Sequence, residues 1–173
     1  MRTFFVLISF CFYSCAASVK SSARFNPGVV YQILELAKQS FDKRMPCSLP
    51  YNTEVIIKDA TLIELNTGHN IFGSDGLYIV QGRYEPEIKT ILLASERPDR
   101  RIVLFHELMH FFIMESEDCK DFRNIEMQHK YINIMEDDFL FATRRTRQQE
   151  EDYTWIMLYL EQLKKVSKSE VLN

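Results

Sequence analysis

Apolar and polar positions change rhythm several times along the chain. Val30, Ile33, Leu34, Ala37 and Phe41 recur at helical spacing behind Asn26, a good N-cap, and Pro27, a good first helical residue. That predicts an amphipathic helix over 27–44, stopped by the two prolines of Met45-Pro46-Cys47-Ser48-Leu49-Pro50. Residues 53–66 are rich in β-branched side chains. Val55 and Ile57, then Thr61, Ile63 and Leu65, alternate, which predicts one or two strands with a break at Lys58-Asp59. After turn-rich 67–70 and 73–76, a strand over 77–84, a turn at Glu85-Pro86-Glu87 and a return over 88–94 make a hairpin. Helical spacing then resumes. Ser95 or Asp99 is expected to cap a helix running to about Met114, with Pro98 in its first turn. A third helix over about 120–143 carries Phe122, Ile125, His129, Ile132, Met135 and Phe139 along one side. A fourth, over about 148–168, shows Tyr153, Ile156, Met157, Leu160 and Leu163. The expected class is α+β: an N-terminal helix, a short antiparallel or mixed sheet with a hairpin, then three helices.

Composition narrows this picture. At 173 residues with 46% hydrophobic and 26% charged side chains, the chain suits a single globular domain. A formal charge of -3 supplies no basic field and disfavours a nucleic-acid partner. The first residues change the picture more. Arg2, an apolar run from Phe4 to Tyr13 and the small residues Ser14-Cys15-Ala16-Ala17 read as an export signal cleaved after Ala17. The run is too short to span a bilayer, so no stable membrane anchor is expected from it. Lipidation at Cys15 is the second reading of the same stretch. On this view residues 1–17 are removed and 18–173 form one exported domain, periplasmic or secreted. Only Cys47 and Cys119 then remain, and in an oxidising compartment they pair in one way, joining the segment after the first helix to the loop after the second. Two free buried thiols are the alternative.

The chemistry concentrates in Val103-Leu104-Phe105-His106-Glu107-Leu108-Met109-His110-Phe111-Phe112. On a helix, His106 and His110 project from one face, so two imidazoles can hold one metal ion while Glu107 leans towards water on it. Zinc suits such a site: it takes neutral imidazoles, keeps an open position and leaves the carboxylate to act as general base. Two histidines do not complete it. The third ligand expected is Glu126, on the following helix, with fifteen residues between it and His110. His129, one turn further along the same face, is the alternative, as ligand or as transition-state donor, and the acidic run Glu136-Asp137-Asp138 is a third option.

His106-Glu107-Leu108-Met109-His110 in its uncharged setting resembles the metal helix of zincin metallopeptidases. No glycine and third histidine follow it closely, so the resemblance is to the gluzincin type and, in size, to short exported bacterial zincins of unassigned role. The resemblance covers roughly residues 76–142. It implies zinc on His106, His110 and Glu126, Glu107 as general base, and hydrolysis of a peptide or protein substrate laid along an edge strand, 77–82 or 88–94. Tyr84 is a candidate for stabilising the oxyanion, although a core aromatic at a strand end explains it better. The alternative function is an inactive zincin fold that uses zinc for stability and captures a peptide or partner without cutting it.

Overall fold

The computed structural model describes residues 18–21, 26–67, 72–73, 76–77, 80–95 and 100–143. The expected leader 1–17, the lone His69 and the fourth helix over 148–168 lie outside the described residues.

Strand β1 (Ser18–Ser21) comes first, then helix α1 (Pro27–Arg44) and strand β2 (Glu54–Ala60), which pairs parallel with β1. The Asn26 side chain accepts from the Gly28 amide at 2.9 Å, capping α1. Val30, Ile33, Leu34, Ala37 and Phe41 are all buried, as their spacing predicts. β2 is continuous through Lys58 and Asp59 and buries Val55, Ile57 and Ala60.

The strand expected over 61–66 is instead a short helix, α2 (Leu62–Asn66). Thr61 Oγ1 accepts from the Glu64 amide at 3.1 Å, while the Glu64 carboxylate accepts from the Thr61 amide at 2.6 Å. This reciprocal capping box satisfies the free amides of a first turn and outweighs the β-branched composition. Burial agrees: Leu65 is buried, whereas Ile63 is 73% exposed, so the two do not share a sheet face. The helix delivers Asn66, whose amide nitrogen donates to Val80 O at 2.9 Å and whose oxygen accepts from Val80 N at 2.9 Å.

The hairpin is shorter than its hydrophobic pattern suggests. β3 (Phe72–Gly73) and β4 (Gly76–Leu77) make a separate two-stranded piece, and β5 (Gly82–Glu85) joins β6 (Thr90–Ala94) through a 3-10 turn, Pro86–Ile88. The main sheet has the order β1-β2-β6-β5, with β2 and β6 parallel and β5 antiparallel at the edge. Ala94 N–H donates to Gln81 O at 2.9 Å, which puts residues 81, 83 and 85 in the hydrogen-bonded pairs. The backbone groups of Gly82 and Tyr84 therefore face outward from the sheet edge.

Helix α3 (Arg101–Glu115) follows, then a 3-10 turn (Glu117–Phe122) and helix α4 (Ile125–Ala142). Ser95 does not cap α3; its amide donates to Ala60 O at 2.7 Å at the end of the sheet, and Asp99 lies outside the described residues. The residue flanking the helix is Arg100, buried and paired with Asp59 of β2. α3 is the centre of the molecule. It packs on α1, α4, β5 and β6 and buries Leu104, Phe105, Leu108, Met109, Phe111, Phe112 and Ile113. Phe112 meets Phe41 of α1 with ring centroids 5.5 Å apart, and Phe105 meets Phe139 of α4 at 4.5 Å. A helix packed against elements on most of its sides has to be apolar around most of its circumference, which accounts for the uncharged run beside the two histidines.

Cys47 and Cys119 form the expected disulfide. Beside it, Ser116 Oγ donates to Ser48 O at 2.6 Å. Together they tie the turn between α3 and α4 to the chain leaving α1. The Arg44 guanidinium grips both oxygens of Asp138 on α4, at 2.7 and 2.8 Å, so the C-terminal ends of α1 and α4 are also joined. No helix among the described residues is long and apolar enough to cross a membrane.

Candidate metal centre

His106 and His110, one turn apart on α3, meet His129 of α4. Their ring centroids are 4.8 Å apart within α3, and 5.4 and 5.0 Å from His129. One ligand nitrogen from each lies within 4.8 Å of the others, and among the described residues this is the one group of three metal-ligating side chains so placed.

The side chain that the structure gathers with the two α3 histidines is His129 rather than Glu126. Asn124 caps α4, its side chain accepting from the Glu126 amide at 2.9 Å, which sets Glu126 in the first helical turn. There Glu126 is exposed and is not gathered with the histidines. Three residues of helix separate the two candidates, a rise of about 4.5 Å. That distance decides which one reaches His106 and His110. His129 is exposed and the two α3 histidines are partly buried, so the cluster reaches solvent at His129.

Each α3 imidazole is oriented through its other nitrogen. His106 Nδ1 lies 2.8 Å from Glu136 Oε1, and His110 Nδ1 lies 2.5 Å from Gln128 Oε1. A carboxylate only accepts, so His106 Nδ1 carries the proton. Gln128 Nε2 donates to Arg123 O at 2.7 Å, which turns its oxygen towards His110 and makes His110 Nδ1 a donor too. The two Nε2 atoms face each other over 3.0 Å. Two lone pairs so close repel unless a cation or proton lies between them. A tetrahedral zinc ion holds nitrogens at about 2.0–2.1 Å each, which sets neighbouring nitrogens about 3.4 Å apart, a spacing between the 3.0 Å of the two α3 nitrogens and the 4.8 Å that encloses all three. Carboxylate or amide partners on the second imidazole nitrogen are the usual way to orient such ligands.

The acidic run 136–138 is divided by the helix. Glu136 is buried against His106, Asp137 is exposed, and Asp138 holds Arg44 and Lys43. Glu136, weighed in the sequence as a ligand, instead contacts His106 Nδ1, and Gln128, the partner of His110, was not singled out by sequence reasoning. Their only local signal is that 128, 129 and 136 lie on neighbouring faces of one helix, and that becomes meaningful once α4 is docked on α3.

Glu107 is buried at 6% exposure between α3 and the edge strand. Its Oε2 accepts the outward-facing Tyr84 amide at 2.8 Å. Burial pushes its pKa up to about 7, opposed by the neighbouring His106, the Tyr84 amide and Arg83 and reinforced by Glu136. Burial is also the main reason that His110 falls to about 4, with His106 and His129 adding to it, so its imidazole is neutral at pH 7 as metal binding requires. His129 is lowered as well, first by desolvation and then by His106.

Tyr84 is the core aromatic that the strand-end reading predicts. It is buried, its ring meets Phe111 edge-on with centroids 5.6 Å apart, and its hydroxyl donates to Glu115 Oε1 at 2.8 Å. With that hydroxyl engaged and its pKa raised by burial and by Glu115, Tyr84 contributes to the site through its backbone amide rather than its side chain.

Comparison of the chain with protein-family profiles, with curated proteins and with solved structures finds no match.

Proposed function

We propose that the chain is an exported zinc-dependent metallopeptidase with His106, His110 and His129 as metal ligands and Glu107 as general base. The observation that carries this reading is the triple-histidine cluster, in which the Nε2 atoms of the two α3 members face each other over 3.0 Å beside a buried carboxylate. Structural zinc sites are closed by four protein ligands, whereas three with an open position are the catalytic arrangement. Zinc in such a site supplies Lewis-acid polarisation of a carbonyl and makes water acidic enough to attack near neutral pH.

The remaining chemistry belongs to the chain. Glu107 takes the proton from the attacking water and returns it to the leaving nitrogen as the C–N bond breaks, yielding a carboxylate and an amine. Among the described residues β5 is the edge strand of the sheet, next to α3, and its outward backbone groups other than the Tyr84 amide suit an extended peptide added as a further strand. Glu136 and Gln128 hold the α3 imidazoles in the tautomer that leaves Nε2 free. The metal helix and general base agree with the zincin resemblance, while a third histidine replaces the glutamate of the gluzincin type.

The test is to load residues 18–173 with one equivalent of zinc and compare cleavage of an unfolded protein and a peptide library with that by Glu107→Gln. Cleavage by the wild type, lost in the variant while zinc is retained, is expected. Zinc binding without any cleavage would replace this reading with a zinc-stabilised binding module, and failure to bind metal would end both.

A further inference from the structure

Gly82 lies in the edge strand where β5 passes closest to α3. A Cβ at this position would come within 2.5 Å of Val103 Cγ1, 3.1 Å of Glu107 Cγ and 3.2 Å of Glu107 Oε1. The first distance is far below carbon–carbon contact, so any larger residue forces strand and helix apart. The requirement is for space, since Gly82 does not occupy the left-handed backbone region. A glycine inside a strand weakens it, and a close approach of backbone to a neighbour is one of the few reasons to place it there.

What that close approach achieves is visible two residues on. The backbone groups of 82 and 84 face away from β6, and the Tyr84 amide donates to Glu107 Oε2 at 2.8 Å. The strand is held on both sides of this bond. Asn66 clamps Val80 through its two bonds, and at the other end Tyr84 Oη donates to Glu115, which also pairs with Lys89 at 2.8 Å. Lifting β5 by the width of one methyl group would break the Tyr84–Glu107 bond first, because it depends on the narrowest part of the contact.

We propose that Gly82 is a positioning residue for Glu107: its missing side chain lets β5 lie against α3 closely enough for the Tyr84 amide to fix the Glu107 carboxylate beside His106. The proposal rests on the reading of Glu107 as the acid–base group. It adds a determinant outside the metal helix and makes the substrate-side strand part of the machinery that aims the base.

The experiment uses the full exported chain, residues 18–173, carrying Gly82→Ala, alone and with Val103→Ala. Three quantities are read: zinc affinity by chelator competition, kcat and KM on the wild-type substrate, and the Tyr84 amide proton shift in 15N-labelled protein. Gly82→Ala should leave zinc affinity and KM unchanged and lower kcat by about 10–100-fold, the range that a misplacement of about 1 Å produces. Its Tyr84 amide proton should move upfield, the direction that Glu107→Gln also produces by replacing a charged acceptor with a neutral one. Adding Val103→Ala removes the 2.5 Å conflict and should restore both kcat and the amide shift in large part. An unmoved Tyr84 amide, an unchanged kcat, or a loss of zinc affinity matching the loss of activity would overturn the proposal. If Gly82→Ala does not fold, the double variant decides: folded with a near-wild-type Tyr84 amide supports the close-approach argument, and unfolded rejects it. Should the wild type cleave nothing, the amide shift and its rescue still judge the role of Gly82 while the peptidase reading falls.

Discussion

Removing the disulfide tests how the proposed third ligand, His129, is held in place. Cys47 and Cys119 are separated by 72 residues, and the bridge anchors the turn through which the chain passes from α3 to α4. For a loop of that length the loss of chain entropy in the unfolded state is worth about 4.4 kcal/mol at 25 °C. Small domains are stable by only about 5–15 kcal/mol, so the double variant Cys47→Ser/Cys119→Ser should be close to unfolding. The double change avoids leaving a lone reactive thiol. Urea titration followed by circular dichroism is the assay. With a slope of about 1–3 kcal/mol/M, the midpoint should fall by about 1.5–4 M, and reducing agent should bring the wild type to the same value. Zinc at a hundred times its dissociation constant should return about 2.7 kcal/mol to the variant by mass action, because only the folded form assembles the three histidines. A loss below about 1 kcal/mol would mean that the bridge does not constrain the unfolded chain as the entropy argument requires. Failure of zinc to shift the midpoint would contradict the proposed site.

Two further outcomes follow from contacts around the cluster. Glu136→Ala and Gln128→Ala each remove the partner of an α3 imidazole, and each should weaken zinc binding by about 10–100-fold in a chelator competition, whereas Asp137→Ala, at an exposed position, should not. Asp138 is held down to about 2 by its hydrogen bonds with Arg44, aided by Lys43. A carboxyl with a folded pKa below its unfolded one stabilises fully above the unfolded value, and that contribution disappears as pH falls from about 4 to about 2. The pair is partly exposed, so Asp138→Asn should cost about 0.2–1 kcal/mol at pH 6, and thermal melts of variant and wild type should converge by pH 2.

Local signals in the sequence are reliable wherever a single period or a single pairing decides the outcome. α1 follows from its apolar spacing, Asn26 and Pro27, and the disulfide follows from having two cysteines left after the expected export signal. The α+β class holds, with a mixed four-stranded sheet. Thr61, Ile63 and Leu65 show where a competing local signal wins, because Thr61 and Glu64 cap a helical turn more effectively than alternation specifies a strand. β1 has no local signature at all; four residues acquire strand geometry by pairing with β2 across the length of α1.

In the site, His106, Glu107 and His110 are legible because one helix carries them at fixed spacing. The third partner is not, since choosing between Glu126 and His129 depends on where Asn124 starts α4 and how that helix rotates against α3. Glu136 could be read as one of three solvated acids until packing separates it from Asp137 and Asp138. Gly82 carried the signal of a glycine within a strand, but the neighbour it accommodates is 21 residues away on α3.

The account stands or falls on whether His106, His110 and His129 share one metal ion. Crystals of residues 18–173 grown with one equivalent of zinc, measured on both sides of the zinc absorption edge, locate the ion directly. One anomalous peak about 2.0–2.1 Å from a nitrogen of each of these three histidines, with Glu126 in solvent, is the predicted result. A peak ligated by Glu126 in place of His129, or no peak at the cluster, would contradict it.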